Sequence, residues 1–161
     1  VSRVFLGLGS NLGDRLACLR AALEALARAP RTELLGVSRV YETEPVEVQG
    51  YQPDYLNCVA ELECGMTAVE LLRYCQGVEA ALGRERKGEK APRTVDIDVL
   101  LFGDEVLRLG DLEVPHRGVL RAFNLKGLAE LDPRLYIPGR GVVAELLSRA
   151  EPGGVRDYGK V

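Results

Sequence analysis

Along the N-terminal part of the chain, apolar residues switch between the spacing of a strand and that of a helix, and the order of those switches limits the folds open to it. Arg3-Val-Phe-Leu-Gly-Leu-Gly9 reads as a short strand ending in glycines. Asn11 or Asp14 can cap the helix that follows, whose Leu16, Leu19, Leu23 and Leu26 recur at helical spacing to about Arg28 before Pro30 closes it. Residues 33–42 alternate, with Leu35, Val37 and Tyr41 on one parity, and are expected to form a second strand; 55–63 forms a third through Leu56, Val59 and Leu62. Between them lies a loop with Pro45, Gly50 and Pro53.

Thr67-Ala-Val-Glu70 has the form of a capping box and opens a helix with Leu71, Leu72, Cys75, Val78 and Leu82 on its apolar face, stopped at Gly83. Val95, Ile97, Val99, Leu100, Leu101 and Phe102 then make a β-branched, largely buried strand. Strand, helix, strand, strand, helix, strand is the order of an α+β, ferredoxin-like antiparallel sheet with packed helices. Gly103-Asp104 leads to an extra hairpin near 105–107 and 112–114, and 123–131 and 142–149 read as C-terminal helices. At 161 residues the chain is expected to be one domain, with 151–161, containing Pro152, Gly153 and Gly154, a loosely held tail.

Charge is distributed unevenly. The formal net charge is −3, yet 83–94 carries +3 and leaves −6 on the rest. A general nucleic-acid binder spreads cations along a face, whereas 41–54 holds Glu42, Glu44, Glu47 and Asp54 with no Lys or Arg, so no nucleic-acid partner is expected. No apolar run has the length of a membrane helix and the first residues lack signal-peptide character, so the expectation is a cytoplasmic protein, taken as a monomer. Cys18, Cys58, Cys64 and Cys75 have no C-x-x-C spacing and only one histidine accompanies them, which reads as reduced core cysteines rather than zinc ligands.

The chemistry concentrates at Asp96 and Asp98. Alternation along a strand points both to one side, with backbones roughly 6–7 Å apart at a rise of about 3.3 Å per residue, close enough to hold one hard cation or bridge two. Arg93 lies just upstream, with Arg84, Arg86, Lys87 and Lys90 before it. Arginine forks match phosphate oxygens, and Mg²⁺ binds through a few carboxylates together with substrate phosphates. The same residue types also fit a solvated loop salt-bridged to an Asp-x-Asp pair. Gly7-x-Gly9-x-x-x-Gly13 departs from a dinucleotide fingerprint in its last spacing and lacks a parallel βαβ unit; its glycines are assigned to a tight turn and close helix packing. Gln76 and Glu79, at i and i+3, can reach the ligand that Arg84 reaches or face solvent. Tyr55 and Asn57 share a strand face, where a ring beside an amide can read a flat heterocycle or fill the core. His116 can donate to phosphate or lie at the surface.

Taken in order, Gly-Ser-Asn-Leu-Gly at 9–13, Tyr-Glu-Thr-Glu-Pro at 41–45, Gln-Pro-Asp-Tyr-Leu-Asn at 52–57, Gly-Arg-x-Arg at 83–86, Pro-Arg-Thr-x-Asp-x-Asp at 92–98 and Val-Pro-His at 114–116 strongly resemble the 6-hydroxymethyl-7,8-dihydropterin pyrophosphokinase family. The resemblance covers nearly the whole chain and implies a folate-synthesis transferase moving the β,γ-diphosphoryl group of ATP to 6-hydroxymethyl-7,8-dihydropterin, with AMP released. By the same resemblance Asp96 and Asp98 hold two Mg²⁺ ions. Arg84 and Arg93 act as catalytic-loop arginines. Gln76, Glu79, Arg86, Lys90, Val99, His116 and Arg121 join them around ATP, and Thr43, Pro45, Val46, Asn57 and the rings of Tyr55 and Phe123 hold the pterin. The non-enzymatic rival is a ferredoxin-like nucleotide- or RNA-binding module using the basic loop and Tyr55.

Overall fold

The computed structural model describes residues 1–45, 53–83, 95–151 and 153–161. Its centre is a pair of long antiparallel strands, β1 (Ser2–Ser10) and β4 (Tyr55–Cys64), paired along their whole length from Ser2↔Cys64 to Ser10↔Leu56. On the other side of β1 lies β5 (Asp96–Phe102). The remaining edge of β4 is shared by β2 (Thr32–Val37) and β3 (Val40–Thr43). All of these pairings are antiparallel, and with α1 (Arg15–Ala27) and α2 (Ala68–Gly83) they make the expected ferredoxin-like α+β sheet.

The second strand expected over 33–42 is split into β2 and β3 at Ser38. This buried serine accepts the Val59 N–H on its Oγ at 2.9 Å while its own N–H donates to Val59 O at 2.8 Å, so a side chain substitutes for one rung of the ladder. The break lets β3 continue along β4 past the irregularity.

Helix starts follow the local signals. Asp14 accepts from Ala17 N at 3.1 Å, and the positive φ of 64° at Gly13 turns the chain into that cap. Thr67 and Glu70 exchange bonds of 2.9 and 3.2 Å as a capping box. Thr67→Ala is therefore expected to cost about 1 kcal/mol, lowering the melting temperature by roughly 2–4 °C with the activity unchanged, as read by thermal denaturation.

The two faces of the sheet bury different partners. Val4, Leu6, Leu8, Cys58, Leu62, Ile97 and Val99 pack against α1 and α2 through Leu19, Leu26, Leu71 and Cys75. On the opposite face Phe5, Val59, Leu100 and Leu101 meet α3 (Ala122–Leu131) and α4 (Val143–Arg149) through Leu125, Leu128 and Val143. A register shift between Phe5 and Leu6 places both Leu100 and Leu101 in that second cluster. Cys58, Cys64 and Cys75 are buried and Cys18 partly so; all four are unbridged, and burial pushes the Cys58 and Cys75 thiols up to about 12. Among the described residues no helix is long and apolar enough to cross a membrane.

The extra hairpin is β6 (Leu107–Leu109) and β7 (Leu112–Val114), its first strand slightly later than expected because Gly110, at φ 59°, forms the turn. A second small hairpin, β8 (Tyr136–Ile137) and β9 (Gly141–Val142), precedes α4. The segment from Glu151 departs most from expectation. In place of a loosely held tail, β10 (Val155–Gly159) adds to the sheet edge beside β3, with Arg156 opposite Glu42 and Val155 opposite Thr43. Its anchors are ionic: Arg39 Nε donates to Asp157 at 2.8 Å, and Arg156 to Asp54 at 2.7 Å.

Candidate active site

The Asp-x-Asp strand lies at the end of the sheet, and two clefts meet there. The first, of about 240 Å³, opens on the α3 side and is lined by Gly7, Gly9, Thr43, Tyr55, Asn57, Arg121, Phe123 and Asn124. The second, of about 350 Å³, lies between α2 and the β7 hairpin and is lined by Leu72, Gln76, Glu79, Val99, Asp111, Glu113 and His116. Among the described residues the two clefts share Asp96 and Asp98 and no other lining residue. The pleat places Asp98 opposite Gly7 and Asp96 opposite Gly9 in the β1–β5 ladder.

The first cleft has a floor of glycine under amide oxygens. A Cβ on Gly9 would lie 3.0 Å from Asn57 Oδ1, and one on Gly7 would lie 3.2 Å from Asn124 Oδ1. Asn57 donates its Nδ2 to Thr43 Oγ1 at 2.9 Å and to Tyr41 O at 3.3 Å, and Asn124 donates its Nδ2 to Gly118 O at 2.9 Å. With both amide nitrogens committed inside the protein, the oxygens are left as acceptors over the floor. The role assigned to Gly7 and Gly9 thus changes: they line a cleft within β1, and Gly13 alone of the three makes the turn. Gly7, Gly9 and Asn124 were not among the expected site residues. The repeated glycine in an otherwise apolar strand was the only local signal for Gly7 and Gly9, and Asn124 had none.

At the shared carboxylates, Glu79 accepts the Ile97 N–H at 2.7 Å, fixing the peptide between the two aspartates to α2. Buried Glu79 therefore touches their strand rather than solvent. His116 accepts from Gly118 N on Nδ1 at 3.0 Å, so its Nε2 carries the proton in the neutral ring; that nitrogen is 3.6 Å from Asp98 Oδ1. Gln76 donates to Asp111 at 2.7 Å, and Arg73 bonds both Asp111 and Gln76, tying α2 to the hairpin turn. Arg73, followed by Gln76, holds the Asp111 carboxyl below the usual range.

Arg121, expected beside ATP, lines the first cleft, its guanidinium 4.9 Å from the centre of the Phe123 ring. Pro45 lies in a groove that continues outward from that cleft along Thr43, Phe123 and Val155. Val46, Arg84, Arg86, Lys90 and Arg93 lie outside the described residues.

The pattern of the 7,8-dihydro-6-hydroxymethylpterin-pyrophosphokinase family matches residues 5–133. The chain belongs to this family. It is 39% identical over 156 residues to the 2-amino-4-hydroxy-6-hydroxymethyldihydropteridine pyrophosphokinase of Pseudomonas aeruginosa, covering 96% of each chain. To the protein of the same name from Methylorubrum extorquens it is 40% identical, covering 96% of this chain and 98% of the other. It also matches the folic acid synthesis protein fol1 of Schizosaccharomyces pombe at 36% identity, spanning 21% of that longer protein. A solved Plasmodium falciparum HPPK-DHPS chain superposes with a TM-score of 0.71 at 13% identity, over 92% of this chain and 45% of that one, a likeness of fold.

Within this pyrophosphokinase family member, the donor set at the cleft junction suits a hard cation. Asp96 and Asp98 offer oxygen ligands side by side, and Asp98 is half exposed. Among the described residues no three His, Cys, Asp or Glu side chains converge to enclose a metal. A neighbouring pair of carboxylates is what Mg²⁺ uses when phosphates complete its shell.

Proposed function

We propose that this protein transfers the β,γ-diphosphoryl group of ATP to the hydroxymethyl oxygen of 6-hydroxymethyl-7,8-dihydropterin and releases AMP, acting as a cytoplasmic monomer. The observation that carries this reading is the pair of clefts that, among the described residues, share only Asp96 and Asp98, one beside Tyr55 and Phe123 and the other along α2. In the reaction the hydroxymethyl oxygen bonds to the β-phosphorus as the bond from that phosphorus to the α-bridging oxygen breaks. The hydroxyl proton passes to solvent, and AMP leaves carrying the α,β-bridging oxygen.

The chain's own groups divide the work by cleft. The pterin lies between the rings of Tyr55 and Phe123, where stacking favours a flat heterocycle. Its N–H edge donates to Asn57 Oδ1, the atom left free by the bonds of that side chain to Thr43 and Tyr41. ATP lies along Gln76, Glu79 and Val99, with the Nε2–H of His116 directed at the phosphates. Two Mg²⁺ ions held by Asp96 and Asp98 would supply charge neutralisation on the phosphates and acidify the attacking hydroxyl. Arg84, Arg86 and Arg93 act as phosphate clamps, a role that rests on their match to the family motifs, and Lys90 takes the role of a nearby arginine of the family. No dedicated base is required where catalysis is mainly positioning and electrostatics.

Mass spectrometry after incubation with ATP and the hydroxymethyl dihydropterin tests the reaction. AMP and pterin diphosphate are expected in equal amounts, lost on adding EDTA and restored by excess Mg²⁺. ADP as product, or no pterin diphosphate, overturns the proposal. The rival RNA-binding reading has little support in the clefts, whose described lining carries carboxylates rather than a track of cations.

A further inference from the structure

Behind the wall of the first cleft, two arginines and two carboxylates from four separate parts of the chain form a closed group. Arg15, the first residue of α1, donates to Glu42 Oε2 at 2.8 Å and to the Asp54 carbonyl at 2.9 Å. Arg156 of β10 reaches Asp54 Oδ2 at 2.7 Å and Glu42 Oε1 at 3.4 Å. The Arg15 guanidinium also lies 5.8 Å from the Tyr158 ring on β10. Both carboxylates are adjacent in sequence to cleft residues: Glu42 precedes Thr43, and Asp54 precedes Tyr55.

Alternation along β3 turns Glu42 to the opposite face from Thr43, so the group touches the strands and not the cleft contents. Thr43 and Tyr55 are the last partners in a β3–β4 ladder that runs only from Tyr41↔Asn57 to Thr43↔Tyr55. A ladder this short has little cooperative strength of its own at its end. We propose that the Arg15–Glu42–Asp54–Arg156 network is a positioning device that holds Thr43 and Tyr55 at the spacing the pterin needs, making the C-terminal strand a determinant of pterin affinity. The inference rests on the function proposed above and deepens it by naming residues that act through others.

Balance within the group supports this role. Two guanidinium cations face two carboxylates, and Arg15, with Arg156 behind it, holds the Glu42 carboxyl below its usual range. Pairs this exposed contribute modestly to overall stability, so their removal changes local geometry more than it unfolds the protein. A looser end to the ladder lowers the fraction of molecules with Thr43 and Tyr55 correctly placed, and the apparent affinity falls by that fraction.

Calorimetric binding of 6-hydroxymethylpterin, together with KM for each substrate and kcat, in wild type, Arg156→Ala, Arg156→Lys and Glu42→Gln tests the idea. Arg156→Ala and Glu42→Gln are expected to weaken pterin binding about three- to fivefold while KM for ATP and kcat keep their wild-type values, and Arg156→Lys to recover most of the loss. About 1 M NaCl should weaken pterin binding by the wild type more than by Arg156→Ala, where the two Arg156 pairs it screens are already absent and only the Arg15–Glu42 pair remains. Wild-type affinity in Arg156→Ala, or equal losses for both substrates, overturns the network's role. If the wild type binds pterin without forming its diphosphate, the proposed reaction fails and the positioning role survives. Failure to bind pterin at all removes both.

Discussion

Asp96→Asn and Asp98→Asn are each expected to reduce turnover by roughly a thousandfold or more while leaving the protein folded. The amide keeps nearly the volume of the carboxylate but carries no charge, so the strand still packs while a hard cation loses an anionic ligand. Folding tolerates the change because β5 is held by residues other than the aspartates. Ile97, Val99 and Leu100 are buried, and the Ile97 N–H is bonded to Glu79. Matched circular dichroism and melting temperature beside a collapse in AMP formation is the expected pair of results. Near-normal turnover in either variant would remove that residue from the proposed metal site. A variant that melts early would show the carboxylate serving the fold instead.

Gly127→Ala is expected to produce the largest loss of stability from a small change. Gly127 sits on α3 where the helix presses on β4, and a Cβ there would lie 2.4 Å from Val59 Cγ2 and 2.9 Å from Val59 Cβ. Val59 is buried and its N–H is bonded to Ser38, so it cannot move aside without breaking the bridge between β2 and β3. Overpacking of this kind costs about 1–3 kcal/mol, which lowers the melting temperature of a chain this size by roughly 2–12 °C. Gly77→Ala on α2 is the control, since among the described residues nothing lies within 4 Å of its Cβ position. It should gain up to about 1 kcal/mol from helix propensity and raise the melting temperature. Equal stability of the two variants would mean that α3 is not seated against β4 as described.

These effects also divide what was legible in the residues from what was not. Asp14, and Thr67 with Glu70, could be read as caps because a cap is a contact across three residues of sequence. The shared facing of Asp96 and Asp98 was legible because the pleat has a period of two. The split at Ser38 was not, since its cause is a hydroxyl bonded to Val59 on another strand. Neither was β10, a short polar strand after Pro152-Gly-Gly, whose order comes from Arg39, Glu42 and Asp54, distant in sequence. Arg121 shows the same limit at the site: nothing near it in sequence decided between the two clefts, and the entry of α3 placed it over Phe123.

By itself, then, the sequence determined the order of strands and helices through β5 apart from the break at Ser38, the ferredoxin-like class and the family, together with the residue types of a diphosphoryl-transfer site. Those properties depend on periodicity, local capping and ordered motifs, all of which act over short stretches of chain. Tertiary structure alone decided that Gly7 and Gly9 form a floor beneath Asn57 and Asn124, that Asp96 and Asp98 are the common wall of two clefts, and that the C-terminal strand reaches Glu42 and Asp54. A cleft and an ion-pair network exist only where separate segments converge, and that convergence is set by the packing of whole elements.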